Sequence, residues 1–103
     1  MPYFVVVRER RGTWDWSLPL RRQAEWEAHA AFMDALAKDG FVLAGGPLGD
    51  EDRARRVMHV VEAANEDAIG QRLADDPWTL SGMLQTVNVE PWTVLLGGFS
   101  PPR

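Results

Sequence analysis

The order in which two hydrophobic periods alternate along these 103 residues restricts the fold more than any other feature of the chain. "YFVVVR", Tyr3 to Arg8, is β-branched and aromatic and predicts a strand. "RRGTWDWSLPL", with Gly12 and Pro19, predicts a loop. From about Leu20 to Lys38 the period turns helical: Trp26, His29, Met33 and Leu36 share one face, and Gly40 stands where a helix C-terminus is expected. "FVLAGGPLGD" predicts a second strand, broken by Gly45, Gly46 and Pro47, and "RRVMHVVEA" a third, with the polar turn "DEDR" between them. "NEDAIGQRLAD" predicts a short second helix with Asn65 as its N-cap. "MLQTVNVEPWTVLLGG" predicts the last strand, in which Pro91 requires a bend, a bulge or a sheet edge. The order β-α-β-β-α-β is the split βαβ, or ferredoxin-like, arrangement. The expected fold is therefore α+β: one domain over residues 1–103, with a four-stranded antiparallel sheet and two helices on one face.

Two helices on one face leave the other face bare. The first strand is apolar on nearly every residue from Tyr3 to Val7, so both of its faces call for burial. In the third strand Val57, His59 and Val61 take one face, and Met58 and Val60 the other. A sheet that is apolar on both sides predicts a homodimer packed through its bare faces, with a cavity suited to a small-molecule ligand.

Charge and composition narrow the partners. A net charge of -4 and a pI near 5.0 argue against nucleic acid, because a phosphate backbone demands a clustered basic face. The eleven basic residues instead stand in short groups among fifteen acids. The absence of cysteine excludes disulfides and thiolate chemistry and suits a reducing compartment. No apolar run approaches the roughly 20 residues of a membrane span, and the N-terminus does not read as a signal peptide. A cytoplasmic protein with no membrane partner is the expectation.

The polar residues that could carry chemistry are few. His29 lies mid-helix on the apolar stripe, which suits either a packed core residue or an imidazole held inside a pocket. Asp76 stands as an N-cap before Pro77 at the first helical position, with Asp75 as the neighbouring alternative. A carboxylate there can also accept from an imidazole N–H and fix its tautomer for general-base work. His59 lies on a strand with no HxH or HExxH spacing, so no metal is expected. "GGPLG" lacks the pattern of a phosphate loop; its glycines suit a bulge or a close approach of backbone to ligand. Ser81 in "TLSG" fits a turn and not a nucleophile elbow. Of the five tryptophans, Trp26 and Trp92 are expected in the core, Trp78 on a pocket wall, and Trp14 and Trp16 in a lid or dimer contact.

The helical "HAAFMDALAKDGFVLAGGPLGD", the strand "VMHVVEA" and the "ADDPW" segment together resemble the YCII-related (YciI-like) family, over about Trp26 to Trp92. The resemblance implies a ferredoxin-like fold dimerising in the dimeric α-β barrel manner, around a pocket with a His-Asp pair. Transferred to this sequence, the pair is His29 and Asp76. From the residues themselves Gly46, Pro47 and Trp78 are expected as substrate-binding positions, and no cofactor is expected. A relative with known chemistry eliminates chloride from a hydroxylated aromatic ring. The implied activity is general acid/base elimination or isomerisation on a small cyclic or aromatic molecule; the alternative is a non-catalytic binding or interaction module using the same cavity. The loop "RERRGTWDWSLPLRRQAEW" is longer than the shortest members carry, so the pocket beside it does not transfer.

Overall fold

The first eight-residue strand, β1 (Tyr3–Arg10), sorts its side chains by parity: Phe4, Val6, Arg8 and Arg10 are buried, while Tyr3, Val5, Val7 and Glu9 are half-buried. The structure is a computed structural model and describes residues 1–99. After β1 come a 3-10 turn at Leu20–Arg22, α1 (Trp26–Lys38), β2 (Val42–Pro47), β3 (Arg56–Glu62), α2 (Glu66–Leu73), α3 (Pro77–Leu80) and β4 (Leu84–Trp92). The described strands form one antiparallel sheet in the order β2-β3-β1-β4. This is the α+β, ferredoxin-like order that the alternation of periods implies. No helix among the described residues is long and apolar enough to cross a membrane.

The helices cover the face onto which Phe4 and Val6 project. There Leu36 of α1 and Ile69 and Leu73 of α2 meet Phe4, Val6 and Val61 in one apolar cluster. A second cluster gathers Trp14, Leu20, Val57, Trp78 and Leu84 at the other end of the sheet. On the opposite face Phe99 packs edge-on against Tyr3 and Trp92, while Leu95 and Leu96 are almost fully exposed.

Several boundaries differ from the sequence expectation. The helix expected from Leu20 starts only at Trp26, because Glu25 adopts a left-handed conformation at φ 62°. Gln23 is diverted from helix formation as well: its side chain accepts from Asp15 N–H and donates to the carbonyls of Asp15 and Leu18, pinning the preceding loop. β2 runs on through Gly45, Gly46 and Pro47, pairing Pro47 with Val57, where a break was expected. It is an edge strand, and there a residue without an N–H is tolerated. A short third helix, α3, follows Asp76 and adds to the two expected. Pro91 falls on the other edge strand, and between Val7 and Arg8 the β1–β4 register slips by one residue, leaving Val87 as a bulge. Trp14, expected in a lid or dimer contact, is buried; Trp92, expected in the core, is 40% exposed.

The end of α1 follows the sequence closely. Gly40 takes φ +78°, and the N–H groups of Gly40 and Phe41 donate to the carbonyls of Ala37 and Leu36, closing the helix in a Schellman pattern. A Cβ on Gly40 would meet nothing within 4 Å, so a substitution there strains only the backbone. Gly40→Ala is expected to cost about 1–2 kcal/mol, the usual penalty for a left-handed residue with a side chain, read as a lower urea midpoint with an unchanged slope.

Candidate active site

Asp76 is fully buried, and its carboxylate is the meeting point of three segments. Oδ2 accepts from Arg8 Nη1 at 2.9 Å. Oδ1 accepts from His29 Nδ1 at 2.8 Å and from the Trp78 backbone N–H at 3.0 Å. The last bond makes Asp76 the N-cap of α3, with Pro77 at the first helical position. The structure thus brings His29 and Asp76 together, while Asp75 lies exposed outside the site.

Arg8 has no place among the sequence candidates, yet it is 0% exposed and also bonds Thr79 Oγ1 and the Leu84 carbonyl. The signal was its parity. Residues 4, 6, 8 and 10 share one face of a strand, so a residue two beyond Val6 must also point inward. The Arg8–Asp76 pair is buried on both sides, and removing one partner of such a pair generally costs about 3–5 kcal/mol.

The imidazole of His29 lies flat on the Trp78 indole, with ring centroids 3.9 Å apart and planes 11° from parallel. Trp78 in turn donates Nε1–H to the Ala24 carbonyl at 2.7 Å and takes Trp14 edge-on at 5.1 Å. Trp26 is half-buried beside them, not a core residue. The loop that carries Trp14 therefore serves as a buttress behind His29, while Trp16 stays 47% exposed.

A cavity of about 300 Å³ opens beside this stack, between α1 and strands β2 and β3. His29, Trp26 and Met33 line one side, Gly45, Gly46 and Pro47 the other, and Arg10, His59 and Trp78 contribute as well. The three residues anticipated for substrate binding thus all face the cavity. Its lining is mostly apolar, which suits a ring-sized organic molecule. An engineered apolar cavity of about 150 Å³ holds benzene, so this one has room for a ring with several substituents. Among the described residues no group of three or more His, Asp or Glu side chains gathers in a way that could hold a metal ion.

Burial acts on the titratable groups in opposite ways. It would raise the Asp76 carboxyl, but the hydrogen bond and charge of His29, the Trp78 N–H and Arg8 outweigh it and hold Asp76 below its ordinary value. His59 has no carboxylate in contact, and burial, with Arg8 and His29 nearby, pushes it down to about 4.

A fold holding a histidine on a buried carboxylate, at the wall of a small apolar cavity, defines a class of compact ferredoxin-like pocket proteins. Within that class the chain belongs to the YCII-related family, whose domain matches residues 1–93. Among solved structures it is similar to the 5-chloro-2-hydroxyhydroquinone dehydrochlorinase (TftG) of Burkholderia phenoliruptrix in complex with 2,5-dihydroxybenzoquinone. The two share 23% identity with a TM-score of 0.66, over 88% of this chain and 93% of that one, a likeness of fold. No curated protein matches the chain.

The two shifted groups predict how stability responds to acid. The folded value of His59 lies below its unfolded value of 6.5, so the unfolded chain takes up the extra proton first. Its contribution is complete above about pH 6.5 and falls towards pH 4, with a loss of about 2 kcal/mol by pH 5. Asp76, also depressed, acts lower: its contribution is present above about pH 3.9 and is lost as pH falls through its folded value. Urea midpoints at pH 7 and pH 5 should therefore differ in the wild type and converge in His59→Phe.

Proposed function

We propose that this chain is an enzyme in which His29, oriented by Asp76, acts as general acid and base on a small cyclic or aromatic molecule, in an elimination or isomerisation. The observation that carries the reading is the 2.8 Å contact between His29 Nδ1 and Asp76 Oδ1 in a histidine that also lines the cavity. A carboxylate can only accept, so Nδ1 bears the hydrogen and the neutral ring keeps its lone pair on Nε2. Among the described residues Nε2 has no protein partner, and it lies on the ring edge turned away from Asp76.

The chemistry follows from that tautomer. Nε2 removes a proton from a C–H or O–H of the bound ring, and the electron pair left behind forms the new double bond. In an elimination the leaving group departs with its own bonding pair; in an isomerisation the proton returns from Nε2 to another atom. The positive charge gained by the imidazole faces a carboxylate that Arg8 already holds in place. The flat stack on Trp78 keeps the ring from turning. Asp76 is sealed while the side chain of His29 remains 11% exposed at the cavity wall, which supports the reading of an oriented base. The structural neighbour acts on a chlorinated hydroxyhydroquinone, which supports a hydroxylated ring as the substrate class.

Assembly and location belong to the same reading. Val5 and Val7 of β1 are half-buried on the face that the helices do not cover, and we propose that two copies pack across that face as a homodimer. A chain without cysteine suits a reducing compartment, here taken as the cytoplasm.

Chloride release from 5-chloro-2-hydroxyhydroquinone, and hydrogen–deuterium exchange at ring positions of related hydroquinones, test the chemistry. His29→Ala should lower turnover by roughly 10²–10⁴-fold with the fold intact. Asp76→Asn should also lower it, by leaving the wrong tautomer. A folded His29→Ala protein with full turnover would overturn the assignment. Light scattering at micromolar concentration should return twice the 11.6 kDa chain, and Val5→Glu should shift it towards the single chain.

A further inference from the structure

The cavity holds one charge that the proposed chemistry does not use. Apart from the two imidazoles, its lining carries two ionisable side chains, Arg10 and Asp34. Asp34 is exposed, where water screens it. Arg10 is 1% exposed, and its guanidinium has no carboxylate at ion-pair distance among the described residues. Asp50, Glu51 and Asp52, in the turn between β2 and β3, act on it only from further off. Burial outweighs them and lowers the guanidinium below its ordinary value, so the cation is under-compensated. Arg8, the other buried guanidinium, is by contrast committed to Asp76.

Packing alone does not account for an arginine here. Its Nη1 donates to the Ala54 carbonyl at 2.8 Å, and its head lies over the Trp14 ring at 4.4 Å. That carbonyl needs one donor, whereas a guanidinium brings five in a fixed fork. Nε is sealed without a partner; Nη2 has no partner among the described residues either but, unlike Nε, is not sealed. A donor left open on a residue that lines the cavity is a place for an acceptor. In a mostly apolar lining the attraction between unlike charges also reaches further than it does in water.

We propose that Arg10 is the anion-recognising group of the cavity, and that the ligand is a ring bearing a carboxylate or an ionised hydroxyl held on the Arg10 side. Both sources share one chemistry, a negatively charged oxygen that accepts from Nη2 and compensates the guanidinium. His59 brings no competing charge: burial, with Arg8 and His29 nearby, pushes it down to about 4, so it is neutral near pH 7. A cationic ring is disfavoured beside Arg10, and a neutral one leaves the guanidinium as it was. The proposal rests on the reading above only in placing a ring in the cavity; it does not require that His29 react with it.

Benzoate and benzamide, close in shape and different in charge, are the first probes for the full-length protein. Both should move the side-chain NMR signals of His29 and Trp78, which places them in the cavity. Benzoate should bind more tightly by roughly ten- to hundredfold, the worth of a hydrogen bond to a charged group. In Arg10→Met, which keeps a long apolar chain against Trp14, that ratio should fall to near one. Where Arg10→Met does not fold, Arg10→Gln, which can still donate to the Ala54 carbonyl, takes its place. The third probe, 4-nitrophenol, shows its ionisation by colour, and its midpoint should fall by about one pH unit on binding, equivalent to a tenfold preference for the anion. A benzoate preference alone assigns a carboxylate, and a lowered midpoint alone assigns an ionised hydroxyl. If the probes reach the cavity and neither effect is seen, or if the effects survive in the folded variant, Arg10 only packs against Trp14 and Ala54; the proposal then fails while the catalytic reading stands. If no probe moves His29 or Trp78, the cavity takes no ring and both readings fall.

Discussion

A carboxylate that has lost all contact with water must be compensated on every side, and at Asp76 that requirement ties together elements from the whole chain. Arg8 arrives from the first strand, His29 from the long helix and the Trp78 amide from the turn that Asp76 itself begins. Each of these groups would be costly to bury alone. Together they satisfy the carboxylate, leaving only Arg8 Nε of this group without a partner among the described residues, and the imidazole is held in one tautomer and one orientation as a by-product. The site is thus built from the same interactions that close this end of the fold.

The tryptophan cluster extends that logic outward. Trp78 supports His29 from behind, Trp14 supports Trp78, and Arg10 stacks on Trp14 at 4.4 Å. The long loop between β1 and α1 can supply Trp14 only because Gln23 pins its backbone and the Leu20 N–H donates to Asp52. An insertion at the surface is thereby made part of the rigid wall behind the imidazole. One wall of the cavity itself comes from edge strand β2, which contributes Gly45, Gly46 and Pro47.

How much of this the sequence discloses depends on the length scale of each cause. Periodicity is local, so the element order and the stripe carrying His29 can be read from neighbouring residues, as can the caps at Asn65 and Asp76. Arg8 was legible in principle, through its parity with Phe4 and Val6, but the charged run "RERR" reads as the solvated end of a strand. The late start of α1 was not legible, because nothing near Glu25 signals a left-handed residue; it follows from Gln23 being committed to the loop. Continuation of β2 through Pro47 depends on its being an edge, which is a property of the sheet and not of the segment. The place of Trp14 behind Trp78 likewise depends on a contact between residues far apart in the chain.

That separation in sequence bears on how the molecule comes into being. Arg8 and Asp76 stand 68 positions apart, and β1 pairs with both the third strand and the last. Closing such a distance costs chain entropy before the bonds from Arg8 and His29 to Asp76 can repay it. A nascent or partly melted chain can hold α1 and α2 as separate helices and still lack a binding wall. The cavity therefore arises cooperatively with the last strand pairing, and the amide of Trp78 should open to solvent only when the whole sheet does.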